Sequence, residues 1–379
     1  MLNKANIIKV KKICYIFIQG RKNKILSNEV EAKEFYYGLN YLQELKDIKI
    51  NIIEFSNTNN WFSSILKTLD KVISKLISIP FYSHKLVSAK NLKTLLKSDK
   101  VVLISESTGY SALPMLFFLK FRKTQVILFV MGLYSKKLRY KWARKFHNFF
   151  IKILISFIDD VLILGKGEYE KAVDFHKKTS KIHYFPFCVD TNFWKLPQPL
   201  NIEQNSEILF VGNDGNRDYE MLLDIAKDLK QYNFRFISEN SIIDKVRLPN
   251  DAVEKGKWGS SEITDLDLRN IYQQSKLVIL PLKESTQPSG QSVSLQAMSL
   301  GVPVLISETG GFWDKERFLH KESIYFVNPN ETIDWTTAIN NLYDNTELLL
   351  RLSKNGQKLI DQEFSLKNFN TQLLSILNI

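Results

Sequence analysis

The chain has 379 residues, 44% of them hydrophobic, which is long enough for two domains with ordinary cores. Its two cysteines, Cys14 and Cys188, lie far apart in apolar contexts, so a disulfide scaffold is excluded and a reducing cytosol is expected. The net charge of +12 is uneven: residues 1–190 hold 33 Lys and Arg against 15 Asp and Glu, residues 191–379 hold 19 against 25, and the two halves are expected to meet different partners.

Lys4, Lys9, Lys11 and Lys12 precede an apolar run of only about six residues, too short for a secretory signal. The apolar stretches 113–123 and 149–164 are broken by Lys120, Lys152, Asp159 and Asp160, and fall short of the roughly 18–20 residues of a membrane span. No zinc-finger spacing, RNA-binding motif or helix-turn-helix pattern accompanies the basic charge, so nucleic acid is not expected as a partner.

In chain order, strand signals lie at 13–18, 48–55, 101–105, 125–130, 160–164 and 181–185, separated by helical patterns such as 31–45 and 136–155. A second series starts after the proline-containing segment 195–200. Its strands are 207–211, 234–238, 277–282, 304–307 and 324–327, and its helices are 218–232, 261–274, 291–300, 332–345 and 346–364. Apolar strands alternating with amphipathic helices predict βαβ units and mainly parallel sheets, with ligands beyond the carboxyl ends of the strands. The predicted class is α/β: two doubly wound, Rossmann-like domains, 1–192 and 193–364, facing a cleft. The tail 365–379 reads as a helix that can return to the first domain.

Residues 275–307 are the most informative. A buried strand leads into a loop with Ser289 and Gly290, a short helix opens at Gln291 and Ser292, and Gly301-Val302-Pro303 turns the chain into the next strand. The first N–H groups of such a helix lack intrahelical partners and the macrodipole adds positive potential, so a diphosphate is the natural guest. Gly212 ends strand 207–211 where the backbone turns tightly, and Arg217 lies near the start of the next helix, where a guanidinium can pair with a diphosphate.

Five segments carry a family resemblance. Phe187-Cys188-Val189-Asp190 with Phe193-Trp194 resembles a G-V-D-x-x-x-F segment. Residues 208–219 resemble the first strand and glycine loop of a second domain. Residues 256–282 resemble G-x-V…L-x-x-x-Y-x-x-A-x-V-x-V-x-P. Leu295-Gln296-Ala297-Met298 with Gly301-Val302-Pro303-Val304 resembles L-E-A-M-A-x-G-x-P-V, and Thr309-Gly310-Gly311 resembles the following loop. In this order and spacing they resemble the GT-B glycosyltransferases, specifically the large retaining group 1 (family 4-like) set typified by sucrose synthases.

The resemblance implies that the first domain binds an acceptor and the second a nucleotide-sugar, expected to be UDP-linked. It places donor contacts at Gly212, Asn213, Arg217, Gly256, Ser289, Gly290, Gln291, Ser292 and Gln296. It also implies a retaining transfer without a metal cofactor, in which the departing diphosphate takes the acceptor's proton and the enzyme stabilises the leaving charge. Surface polysaccharide synthesis on a glycan or lipid-linked acceptor is the expected setting.

The sequence departs from the family at several positions. Asn213 stands where a cation is usual. Gln296 and Pro288 stand where two glutamates eight residues apart are usual, on the ribose and beside the sugar. Glu284 is the candidate carboxylate to reach the sugar from the preceding loop, and Glu106, after strand 101–105, is the candidate base that an inverting mechanism would need. Met131-Gly132 stands where relatives often have a histidine. Asp265-Leu266-Asp267 mimics a metal-binding D-x-D, but acids at a helix start are favoured by the dipole alone. The five histidines show no metal-ligand spacing, and no Ser/His/Asp pattern appears.

A basic helix is expected over 134–155, where Lys136, Lys137, Arg139, Lys141, Arg144 and Lys145 interleave with Leu138, Trp142, Phe146 and Phe149. It can lie on an anionic membrane or be an ordinary domain helix with a solvated face. A cytoplasmic chain, peripheral on the inner face of a membrane, follows from the first reading. Two other functions stay open: a nucleotide-sugar epimerase of the same fold, and a non-catalytic sugar-nucleotide-binding protein.

Overall fold

The structure, a computed structural model, describes residues 10–27, 31–56, 61–136, 138, 142–177, 179–198, 200–243, 251–254, 263–329 and 331–379. The first half forms β1 (Lys11–Phe17), β2 (Ile48–Glu54), β3 (Lys100–Leu103), β4 (Gln125–Val130), β5 (Asp160–Ile163) and β6 (Ile182–Tyr184). These make one parallel sheet in the order β2-β1-β3-β4-β5-β6. The second half forms β7 (Glu207–Val211), β8 (Asn233–Ile237), β9 (Asp251–Glu254), β10 (Ser275–Leu280), β11 (Val304–Ser307) and β12 (Tyr325–Val327), in the parallel order β12-β11-β10-β7-β8-β9.

The strands are near-continuous apolar runs because helices cover both faces of each sheet; in β4 five of six residues are buried. One apolar core runs from the inner face of the first sheet into the second domain. It joins Tyr37, Phe129 and Phe187 to Trp194, Leu295, Phe312 and Trp313. The chain crosses between the domains through buried Phe187, Cys188, Val189 and Trp194.

The last helix, Leu366–Ile376, lies on the first domain. Val189 N donates to Phe364 O and Leu366 N to Val189 O, both at 2.9 Å. Phe369 stacks on Phe129, and Gln125 Nε2 donates to Ile376 O at 2.9 Å. The C-terminal segment thus closes over the first sheet and fastens the two domains together.

Three elements differ from the sequence reading, and two of them shape the site. The pattern at 31–45 is not one helix. It is a 3-10 turn (Glu34–Tyr36), then Tyr37 and Gly38 in left-handed conformation (φ 52° and 78°), then a short helix, Leu39–Gln43. The break turns Glu34 into the core. The helix expected from 134 begins at Ala143. Residues 132–135 are held instead as a loop: Gly132 N and Tyr134 N donate to the Glu168 carboxylate (2.8 and 2.9 Å), and Ser135 Oγ donates to Thr286 O (3.0 Å). Lys137, Arg139 and Lys141 lie outside the described residues. Strand β9 has the sequence DAVE, whose two apolar residues give no strand signal.

Candidate donor site between the sheets

β7 and β10 lie side by side at the centre of the second sheet, so the loops after them share one end of it. Tyr219–Asp228 follows β7 and is capped by Asp218, whose Oδ1 accepts from Met221 N at 3.1 Å. Gln291–Ser299 follows β10. Gly290 is its N-cap at φ 77°, and no side chain caps it. A side chain at φ 77° would be strained and its Cβ would stand 3.2 Å from Ile306 Cδ1, so the tight start of this helix favours glycine.

Arg217, only 3% exposed, joins the two loops. Its Nη1 donates to Ser289 Oγ at 2.8 Å and pairs with Asp214 at 3.0 Å, while Ser289 Oγ donates in turn to Asp214 at 3.1 Å. Arg217 Nε is buried with no hydrogen-bond partner. An orphaned donor on a buried cation is costly, and an anionic ligand at this point would satisfy it. A Cβ on Gly212 would collide with this guanidinium, so the glycine is what lets the arginine lie across the strand end.

A cavity of 350 Å³ opens here, lined by Gly212, Asn213, Asp214, Arg217, Ser292 and Gln296 and by apolar Val211, Ile237, Ile263, Leu268 and Val293. Phe35 of the first domain forms part of the wall, and Thr264 and Asp265 complete it. The cavity therefore lies between the domains, with a polar side and a larger apolar one.

Gln296 is 4% exposed, and its carboxamide is engaged. Nε2 donates to Glu34 Oε1 at 2.9 Å, and Oε1 accepts from Tyr272 at 3.4 Å. Glu34 also accepts from Trp194 Nε1 at 2.8 Å and from Asp190 N at 3.3 Å. Its burial raises the pKa of Glu34 to about 7 against the lowering effect of the bonds from Gln296 and Trp194. Asp265 Oδ2 accepts from Ala32 N at 3.0 Å, a second tie from this wall to the same first-domain segment. Asp267 caps its own helix through Thr264. Among the described residues no group of three or more His, Cys, Asp and Glu is placed to hold a metal ion.

Of the other predicted residues, Asn213 and Ser292 line the cavity and the remaining described ones fall around it. Ser289, Gly290 and Gln291 lie behind its lining, at the helix start, and Gln291 Nε2 reaches Leu164 O of the first domain at 3.1 Å. Asn213 Oδ1 accepts from Glu239 N at 2.6 Å. Glu284 is exposed and accepts from Gly310 N at 2.9 Å, bracing the loop after β11. Pro288 packs on Gly165. Glu106 opens the Glu106–Leu119 helix and accepts from Met131 N at 3.3 Å. Neither Glu106 nor Glu284 lines the cavity. Gly256 lies outside the described residues.

Sequence reasoning missed Glu34, Phe35, Thr264 and Asp265. The first two sit in a segment that reads as an amphipathic helix, and only the left-handed pair after them turns them inward. It also missed Glu168, buried under the 132–134 loop, whose burial, with a further push from Glu106, raises its pKa to about 8. Ser83, His84 and Asp70 meet in the first domain. Ser83 Oγ donates to Asp70 rather than to the histidine, so this is not a nucleophilic triad.

Two facing Rossmann-like sheets with a nucleotide-sized cavity between them define the GT-B glycosyltransferase class. Residues 205–345, the stretch that carries Arg217, the Gly290 turn and Gln296, match the family model described as glycosyl transferases group 1. The match lies in the second half of the chain. The fold is similar over 97% of the chain to three solved structures. The Anabaena protein HepE, in complex with UDP and glucose, is 14% identical with a TM-score of 0.68 over 99% of its length. Sucrose-phosphate synthase from Thermosynechococcus elongatus is 14% identical with a TM-score of 0.66 over 98% of its length. A glycosyltransferase from Rickettsia africae is 14% identical with a TM-score of 0.65 over 97% of its length. A search of curated protein sequences found no match.

Proposed function

We propose that the chain transfers a sugar from a UDP-sugar to a glycan or lipid-linked acceptor, with retention, as a step in surface polysaccharide synthesis. The observation that carries this reading is Arg217. A buried guanidinium with an orphaned Nε lies against Ser289 and the uncapped start of Gln291–Ser299, at the wall of an inter-domain cavity. On this reading Arg217 swings from Asp214 to the diphosphate, and the backbone amides of residues 290–292 with Ser292 meet the remaining charge. No metal cofactor is then needed. Gln296 faces the ribose, and the apolar wall with Phe35 takes the base. The departing diphosphate accepts the acceptor's proton, which suits a cavity lined by neither Glu106 nor Glu284.

The acceptor reading rests on the first domain's surface. Trp142, Phe146 and Phe149 are exposed beside Arg144 and Lys145 on the Ala143–Ile155 helix. The adjoining Trp61–Ile77 helix exposes Trp61, Ile65, Leu69 and Val72. Apolar stripes flanked by cations suit an anionic bilayer surface. No helix among the described residues is long and apolar enough to cross one. Cys14 and Cys188 are buried and free, as suits the inner face of the membrane.

The test is incubation of the full chain with UDP-, GDP- and ADP-sugars and a lipid-linked acceptor pool, scoring nucleotide release and the anomeric configuration of the product. UDP release with an α-linked product from an α-linked donor is expected, and Arg217→Ala abolishes it. Interconversion of the sugar on UDP without transfer would identify an epimerase, and tight UDP binding with no turnover a binding protein.

A further inference from the structure

The first domain holds a second polar recess that the donor reading does not use. The Trp61–Ile77 helix and the segment 78–85 enclose a groove of 970 Å³. It lies at the ligand end of the first sheet: Ser56 N, just past β2, donates to Lys85 O at 2.9 Å. Ser107 Oγ, at the head of the helix that follows β3, donates to Pro80 O at 2.9 Å.

Three cations line the groove: Lys67 and Lys71 one turn apart on the helix, and Lys85 on the opposite wall. Lys75 continues the row beyond Lys71. Like charges four residues apart on a helix destabilise it. No carboxylate pairs with Lys67, Lys71, Lys75 or Lys85 among the described residues. The one acid in the lining, Asp70, is 2% exposed and both its oxygens are taken. Ser83 Oγ donates to one at 2.6 Å, and His84 N and Nδ1 reach the other at 2.9 and 2.6 Å. The groove is thus a cation-lined recess whose floor carboxylate is held by Ser83 and His84. Around the same helix, Trp61, Ile65, Leu69 and Val72 form an exposed apolar stripe. One helix therefore presents lysine charge on one side and exposed apolar surface on another.

We propose that this groove binds the phosphate-bearing headgroup of a membrane-borne acceptor, with Lys67, Lys71 and Lys85 on the phosphate oxygens while the Trp61–Val72 stripe rests in the bilayer. The proposal deepens the lipid-linked acceptor reading above and rests on it. It gives the basic excess of the first domain a specific ligand, and it places the acceptor's charged end at the carboxyl ends of the strands that face the donor domain.

The test uses the full chain and phosphatidylcholine vesicles carrying phosphatidic acid, a phosphomonoester, or phosphatidylserine at matched surface charge. The wild-type chain is expected to prefer phosphatidic acid. The exposed pair Lys67→Gln with Lys71→Gln should lower that affinity about tenfold or more while phosphatidylserine binding falls far less. Lys85→Gln should act in the same direction, and Lys90→Gln with Lys93→Gln, on the Ala89–Leu96 helix, should not. Equal losses on both lipids mean generalised charge and overturn the proposal, as does no loss on either. Inorganic diphosphate that binds the wild-type chain as tightly as the phosphatidic acid vesicles do would assign the groove to a free anion and overturn the lipid assignment. UDP binding by the same preparations separates the two readings. Lost lipid preference with intact UDP binding confines the fault to the groove. A retained preference in a chain that binds no UDP sinks the transfer reading and leaves the groove standing.

Discussion

Glu34 of the first domain accepts a hydrogen bond from Gln296 of the second, at 2.9 Å, with neither side chain more than 4% exposed. The contact ties a carboxylate to the residue that stands where relatives carry a glutamate of their own. Oε1 also takes Trp194 Nε1, and Oε2 takes Asp190 N. Glu34→Ala leaves these donors buried without a partner and should cost on the order of 3 kcal/mol, because each orphaned buried donor costs about 1–3 kcal/mol. Glu34→Gln keeps an acceptor for Gln296 and Trp194 but turns a donor toward Asp190 N, and should cost less. Urea midpoints of the two variants check the order. If Glu34→Ala is as stable as wild type, the contact carries no weight in joining the domains.

Glu34 and Glu168 make stability depend on pH in the direction opposite to a surface ion pair. Burial raises their pKa values from 4.5 to about 7 and about 8. Below pH 4.5 both are protonated in the native and unfolded chains, and their contribution is fully present. As pH rises, the unfolded chain ionises first, so the contribution is lost progressively and is gone once the pH has passed through about 7 and about 8. For Glu34 alone the span corresponds to roughly 3 kcal/mol. Melts of the wild-type chain should fall between about pH 5 and pH 9, and the fall should shrink in Glu168→Gln. A Glu168→Gln variant with an unchanged pH profile would place the titration elsewhere.

The strands of both sheets were legible because fully buried parallel strands are apolar runs bounded by polar turns, and runs such as QVILFV and EILFV have no competing pattern. The Gly290 turn and Arg217 were legible because their chemistry is local. Glu34 was not: its place depends on left-handed Tyr37, a residue type that carries no such signal, and on a partner 262 positions away. The missing start of the Ala143–Ile155 helix has the same origin. The helical pattern reads from 134, but Glu168 and Thr286 supply tertiary hydrogen bonds that hold residues 132–135 as a loop.

Arg217→Lys keeps the charge but loses the guanidinium whose Nη1 reaches both Asp214 and Ser289. On the donor reading it should weaken UDP binding about tenfold, and Arg217→Ala by more, since charge-assisted bonds to phosphate contribute about 1.5–3 kcal/mol. Calorimetric titration with UDP and with uridine separates the diphosphate from the base: uridine affinity should be unchanged. A variant that loses both equally has lost the shape of the cavity rather than a phosphate contact.

The exposed aromatic stripe has its own test. Trp142→Ser with Phe149→Ser removes two side chains that are 54% and 58% exposed and so leaves the fold intact. Affinity for anionic vesicles should fall about tenfold or more, since fully burying one large apolar side chain contributes about 1.5–3 kcal/mol. High salt should weaken the remaining binding through Arg144 and Lys145. Unaltered sedimentation would assign these residues to a protein partner or to solvent.

Two glycines let the domains approach closely. Gly132, at φ 120°, lies under the Gln287 side chain, whose Nε2 donates to Met131 O at 3.4 Å. Gly167 faces Gly310 O, where an added Cβ would stand 2.7 Å away. The neighbour of Gly167 is backbone in another domain, so the contact has no flexible side chain to give way. Gly167→Ala should therefore shift the second domain outward without unfolding either sheet, since each sheet keeps its own outer core. Small-angle scattering should show a larger radius of gyration for Gly167→Ala. Gly132→Ala should expand the chain less, because Gln287 can turn aside, but it should lose more stability through the left-handed backbone. A Gly167→Ala chain as compact as wild type would mean that the approach of residue 167 to residue 310 does not set the spacing of the cleft.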